Sequence, residues 1–378
     1  MKKNHVDSQY LNLLRRIIIE NAKESYNEVK DAFTNGEITA NEAYNDIVGN
    51  KELASVLGEI QSDRTGTGTY KTFGNLMRFD LSKGYPLLTT KKVAYKMALI
   101  ELLWIISGDT NVKTLINQDV HIWNKDCYKA YLIRNGFHLP DQQSEEWING
   151  QKEFVEQIKE CDVFAEYHGN LGPVYGGQWR NFGGHDIFKN NIQNLINNDP
   201  YFKKEFDMLN SSYNLNWDGA EGVDQLQDAI EKLKKNPNDR RNLIFAYNPK
   251  EIDQQVLPSC LALYQIYVKD NKLSVMCYIR SQDVFLGMPF DIVSGATLTH
   301  MLAKTTGYEV GEYLHFSGDT HIYSNHLDAV ALQLSRDAKE IPSIELEPTI
   351  NHIEEYELDH IKVLNYNPHP PIRAKLSV

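Results

Sequence analysis

Residues 261–307 constrain the fold more than any other stretch. Two β-rich segments, LALYQIYVK (261–269) and KLSVMCYIRS (272–281), are broken by DNK, which predicts a β-hairpin. A long apolar run follows, PFDIVSGATLTHMLAKTTG (289–307), and Gly307 is its stop signal. A second such run, AYKMALIELLWIISG (94–108), closes at Gly108. Helices this apolar must be covered on most sides. The expected class is therefore α+β: a largely antiparallel or mixed sheet with long buried helices packed on it. Asp291 interrupts the first run between Phe290 and Ile292. A carboxylate on a buried element is costly unless something pairs with it.

The chain has 378 residues, enough for one large domain or two ordinary ones. A net charge of -12 argues against a broad nucleic-acid or acidic-membrane footprint. It leaves room for an anionic small molecule gathered by a few arginines. No apolar run reaches membrane-span length, and MKKNHVDSQYLNLLRR lacks an apolar signal core. Cys127, Cys161, Cys260 and Cys277 form no CxxC pair, so neither a disulfide framework nor a metal site is expected, and the expected location is cytoplasmic. QYLNLLRRIIIENAK has helical spacing. DRTGTGT (63–69) is a turn leading into the strand-like YKTFGNLMRFDL. Polar stretches at about 25–58, 124–167 and 183–222 read as insertions at the edge of a single domain spanning 1–378.

Several residues carry possible chemistry. Cys260, in VLPSCLALYQ, follows a proline turn at the start of a strand. Free cysteine is usually a small buried hydrophobe, but Arg64, Arg240, Arg241 and Arg280 offer cations for a thiolate or an oxyanion. Four of them converging would suit a phosphate dianion. Glu101 is a carboxylate on an apolar helix, either paired at its boundary or tuned by burial for proton transfer. His321 and Tyr323, at i and i+2 in GDTHIYSNH, face one side of a strand.

Together, DRTGTGT, FDLSKGYPLLTTKK, ELLWIISGDTN, LGPVYGGQWR, DRRN, LPSC, YIRSQDVFLGMPF, GDTHIYSNH and YNPHPPIRAKLSV resemble the thymidylate synthase family, in its order. The resemblance implies a three-layer α/β sandwich and a homodimer with active sites shared between chains. It also implies 5,10-methylenetetrahydrofolate as the one-carbon donor, with no metal, membrane or nucleic acid required. Cys260 looks like the nucleophile that adds to C6 of the pyrimidine, with Glu101, Tyr175 and Asp291 in the catalytic set. Arg64, Arg280 and Ser281 would hold the 5′-phosphate, joined by Arg240 and Arg241 of the partner subunit. Gln265, Asp283, Asp291, His321 and Tyr323 complete the nucleotide set. Lys91, Trp123, Asp283, Gly287 and Val378 match the folate set, Val378 ending a tail that resembles one closing over the site.

Two departures bear on the substrate. Asp291 stands where thymidylate synthases carry an Asn that meets uracil N3–H and O4, and the family's dCMP-directed members carry the same exchange. An ionised carboxylate only accepts hydrogen bonds, so it meets uracil O4 as a like partner, whereas cytosine offers a 4-amino donor and an N3 that can share a proton. Leu261 replaces the His that usually follows the nucleophile. The expected activity is therefore 5-hydroxymethylation of dCMP, as in phage DNA-modifying relatives. The alternatives are 5-methylation of dCMP, an ordinary thymidylate synthase acting on dUMP with Asp291 protonated, and a non-catalytic nucleotide- or RNA-binding paralogue.

Overall fold

The computed structural model describes residues 4–184, 195–213 and 222–377. Packing divides the chain into two units, residues 1–99 with 264–378, and residues 100–263. The strands are β1 (Thr69–Asp80), β2 (Leu243–Phe245), β3 (Leu261–Lys269), β4 (Lys272–Asp283) and β5 (Glu309–Tyr323), in the order β1-β5-β4-β3-β2. β1 runs antiparallel to β5 and β4 parallel to it, so the sheet is mixed, as expected.

In the first unit, the predicted hairpin joins β3 to β4 through Asp270 and Asn271, both at positive φ (50° and 59°). Two such residues make the turn whose twist matches the flanking strands. Parallel β4 and β5 need a crossover. The helix Gly287–Thr306 provides it, packs on both strands, and ends at Gly307 with φ 81°. Its interior Gly295 has a physical reason. A Cβ there would lie 2.2 Å from the ring of Tyr313 on β5, so glycine lets that phenol lie against the helix backbone.

The helix His5–Glu20 anchors the loop that carries Lys91. Asn4 caps the helix, and the fully buried Asp7 carboxylate accepts from the backbone and hydroxyls of both Thr89 and Thr90. This buried charge is thus fully hydrogen-bonded, the condition under which burial is tolerated. Residues 25–58 carry the helices Asn27–Thr34, Ala40–Val48 and Leu53–Val56, the middle one closed by a Thr39–Glu42 capping box.

In the second unit, residues 124–167 are more ordered than their weak periodicity suggests. The helices Asn124–Arg134, Glu145–Glu160 and Asp162–His168 share an aromatic cluster, with centroids 5.0 Å apart for Tyr128–Trp147 and for Tyr131–Phe154, and 4.6 Å for Phe164–His168. A few large rings bury as much as many aliphatic residues, so a sparse apolar pattern suffices. Of the polar stretch 183–222, the helix Pro200–Tyr213 is described, while residues 185–194 and 214–221 lie outside the described residues. Among the described residues no helix is long and apolar enough to cross a membrane.

Gly295→Ala should destabilise the fold by about 1–3 kcal/mol through overpacking against Tyr313. Denaturant titration checks this, and an unchanged midpoint contradicts it.

Candidate active site

In the second unit, four of the expected residues meet. The backbone N–H of Cys260 donates to the Tyr175 hydroxyl at 3.1 Å. The Trp123 indole N–H donates to Glu101 Oε1 at 2.8 Å, and the Trp123 and Tyr175 rings stand edge to face at 5.9 Å. Each comes from an element end or a buried helix. Glu101 lies on Tyr95–Ile106, Trp123 caps Asn124–Arg134, Tyr175 opens Tyr175–Asn181, and Cys260 precedes β3. The arrangement sets the backbone of the half-buried Cys260 beside a phenol, with a carboxylate held by an indole. The buried Trp104 ring lies 6.4 Å from that of Trp123. Leu261 is buried at the start of β3. Arg240 and Arg241 are exposed before β2, with Arg241 forked onto Asp239 at 2.9 and 3.0 Å.

In the first unit, the ends of β4 and β5 gather the next set. Ser281 pairs with Asp319 and Asp283 with His321 in register. His321 Nδ1 lies 2.8 Å from Asp319 Oδ1, and its ring is 5.1 Å from that of Tyr323. Asp283 Oδ1 accepts from the backbone N–H groups of Phe285 and Leu286 at 2.9 and 3.2 Å, shaping the turn into Gly287. Arg280 on β4 and Gln265 on β3 are half-buried. Arg64 is exposed in a loop held by Asp63, whose carboxylate accepts from Thr65 and Gly68. Lys91 is buried. Its ammonium donates to the Phe285 carbonyl and sits 3.5 Å from the Phe285 ring centroid. Burial pulls its pKa down to about 7, against the opposing pull of Asp283. Val378 lies outside the described residues.

Asp291 pairs with an amide. Gln282 on β4 donates from Nε2 to Asp291 Oδ2 at 2.8 Å. Asp291 keeps some surface, yet protein atoms crowd its carboxyl enough to disfavour the charge. Burial pushes its pKa up to about 6, the bond from Gln282 opposes that, and the neighbouring Asp283 adds to it. Sequence reasoning missed Gln282, His315, Tyr313 and Asp319 as supports. The alternation in YLHFSGDTHIY carries the signal for His315, whose strand position faces inward beside Tyr313. Among the described residues, no group of three or more His, Cys, Asp or Glu is arranged to hold a metal ion.

Cys260 at a strand start, bonded to Tyr175, with the Trp123–Glu101 pair close by, stands in a chain whose mixed sheet and buried crossover helix make an α/β fold. The sequence profile of thymidylate synthase matches residues 43–378, and the chain belongs to that family. It is 42% identical over 323 residues to a thymidylate synthase of Mycoplasma mobile, covering 85% of this chain and 95% of the relative. The family's enzymes are one-carbon transferases that take 5,10-methylenetetrahydrofolate as cosubstrate.

Because the folded pKa of Asp291 exceeds the ordinary carboxylate value, folding favours its protonated form. That contribution to stability is fully present below about pH 4 and is lost as pH rises through about 6. Asp291→Asn should therefore gain on wild type by roughly 1–3 kcal/mol between about pH 4 and about pH 7.5. Denaturant midpoints at the two pH values test this, and a constant difference contradicts it.

Proposed function

We propose that this chain transfers a one-carbon unit to C5 of a pyrimidine 2′-deoxynucleoside 5′-monophosphate, and that the nucleotide is dUMP, converted to dTMP. The observation that carries this reading is the 42% identity to a thymidylate synthase over most of both chains. Asp291 then works protonated: its O–H donates to O4 and its C=O accepts from N3–H, as an amide would. A pKa near 6 keeps that form within reach at neutral pH.

Cys260 adds to C6 and makes C5 nucleophilic. Tyr175 accepts from the Cys260 backbone N–H, and Glu101 is a base for the proton that leaves C5. By the family resemblance, Trp123, Lys91, Asp283 and Gly287 belong to the folate set. The folate supplies the carbon and, for a methyl product, the hydride. Arg64, Arg280 and Ser281 hold the phosphate, Arg240 and Arg241 reach the second subunit's site, Gln265 contacts the nucleotide, and His321 and Tyr323 take the 3′-hydroxyl. That division of labour needs a homodimer.

Asp291 itself favours a second reading, dCMP. A shared proton between the carboxyl and cytosine N3 satisfies both, and Leu261 stands where thymidylate synthases usually carry a His. In that reading capture of water gives 5-hydroxymethyl-dCMP, and hydride transfer gives 5-methyl-dCMP.

Incubating the enzyme with 5,10-methylenetetrahydrofolate and each nucleotide separately decides between them. The expected result is dTMP with dihydrofolate by mass spectrometry and absorbance. A 5-substituted dCMP in its place overturns the dUMP reading, and binding without turnover of either nucleotide overturns catalysis altogether. Cys260→Ser should bind nucleotide yet lose turnover, since a serine without a base is a far weaker nucleophile; near-wild-type rates contradict the covalent route. Mixed dimers of Arg241→Ala and Cys260→Ser chains should recover activity, and mixed dimers that form but stay inactive contradict the shared site.

A further inference from the structure

Behind Asp291 lies a run of buried polar side chains that the proposed chemistry leaves unused. Gln282, 2% exposed, donates from Nε2 to Asp291 Oδ2, and its Oε1 lies 2.9 Å from His315 Nε2 on β5. The hydroxyl oxygen of the buried Tyr313 is 3.1 Å from His315 Nδ1, 3.2 Å from Cys277 Sγ and 3.4 Å from the Asp291 backbone carbonyl oxygen. Gly295 is what allows that phenol to sit there.

The polarity of this run follows from its members. Burial pulls His315 down to about 3, so its ring is neutral and carries one proton. An amide oxygen only accepts, so that proton is on Nε2, and Nδ1 accepts from the Tyr313 hydroxyl. With Oε1 committed to His315, Gln282 presents its NH2 to Asp291. The reverse orientation would set two oxygens 2.8 Å apart, which is unfavourable whenever Asp291 is ionised.

We infer that Gln282, oriented by His315, is a specificity-determining positioning residue that fixes the donor and acceptor order of the Asp291 carboxyl. With a donor already on Oδ2, that oxygen stays an acceptor, and a proton on the acid resides on Oδ1. The base therefore meets an O–H and a C=O in one fixed order. Uracil and cytosine present N3 and the C4 substituent with opposite polarity, so one order matches one base. Without Gln282 the proton can occupy either oxygen and both bases find a match. This rests on the reading that Asp291 meets the base.

The test uses Gln282→Leu in the full chain, with circular dichroism to confirm folding. The ratio of kcat/KM for dUMP and dCMP is one readout, and the carboxyl titration of Asp291 by 13C NMR is another, independent of activity. Among the described residues, the ionisable groups that face that carboxyl include Asp283, Cys277 and Tyr313, with His315 behind Gln282. Discrimination should shrink roughly tenfold, the scale of one buried hydrogen bond, and the titration should move up by about one unit as the Gln282 bond is lost. Should the leucine variant fail to fold, His315→Phe leaves Gln282 in place but frees its amide, and is read by the same ratio. His315→Gln, which keeps a donor for Oε1, should restore discrimination. A folded Gln282→Leu or His315→Phe chain with wild-type discrimination overturns the inference. Asp291→Asn with unchanged discrimination overturns instead the reading beneath it.

Discussion

Two parallel strands cannot be joined by a tight turn, and the rest of the first unit follows from how β4 reaches β5. The crossover helix Gly287–Thr306 must lie across both strands. Lying there, it is buried on most of its surface, so its sequence is apolar. The start of such a helix is also where the ends of β4 and β5 converge. Asp291 stands one turn into that helix, at once interior and next to Gln282 and Asp283 at the end of β4. The fold thus forces a carboxyl into surroundings that disfavour its charge, where it accepts from the neutral Gln282 amide.

That single compromise has a chemical consequence. A carboxylate fully satisfied by donors, as Asp7 is by Thr89 and Thr90, is a structural clamp. Asp291 accepts from the Gln282 amide on Oδ2, yet burial raises its pKa to about 6 against that bond, with the neighbouring Asp283 adding to the rise.

Much of this was legible in the residues. The Asp-Asn turn, the Gly307 stop and the i, i+2 spacing of His321 and Tyr323 carry their geometry locally, because turn chemistry and strand alternation are short-range. The oddity of Asp291 was visible from its neighbours Phe290 and Ile292. Its partner was not, because Gln282 lies on a different element, and only the strand-to-helix turn brings the two together. The Trp123–Glu101 bond and the aromatic cluster of residues 124–167 were hidden for the same reason: rings spaced irregularly along three helices meet only after packing. Substrate identity is less legible still, since a proton on Asp291 makes it read like an amide.

The central claim is that Asp291 acts as an acid held ready by burial. The direct measurement is the ratio of kcat/KM for wild type to that for Asp291→Asn, taken from about pH 5 to about pH 8 with the nucleotide that the wild type turns over. Taking the ratio cancels titrations common to both proteins. The account predicts that it falls as pH rises through about 6, by roughly ten- to a hundredfold, the cost of a mismatched buried hydrogen bond. A ratio that stays flat across that range would contradict it.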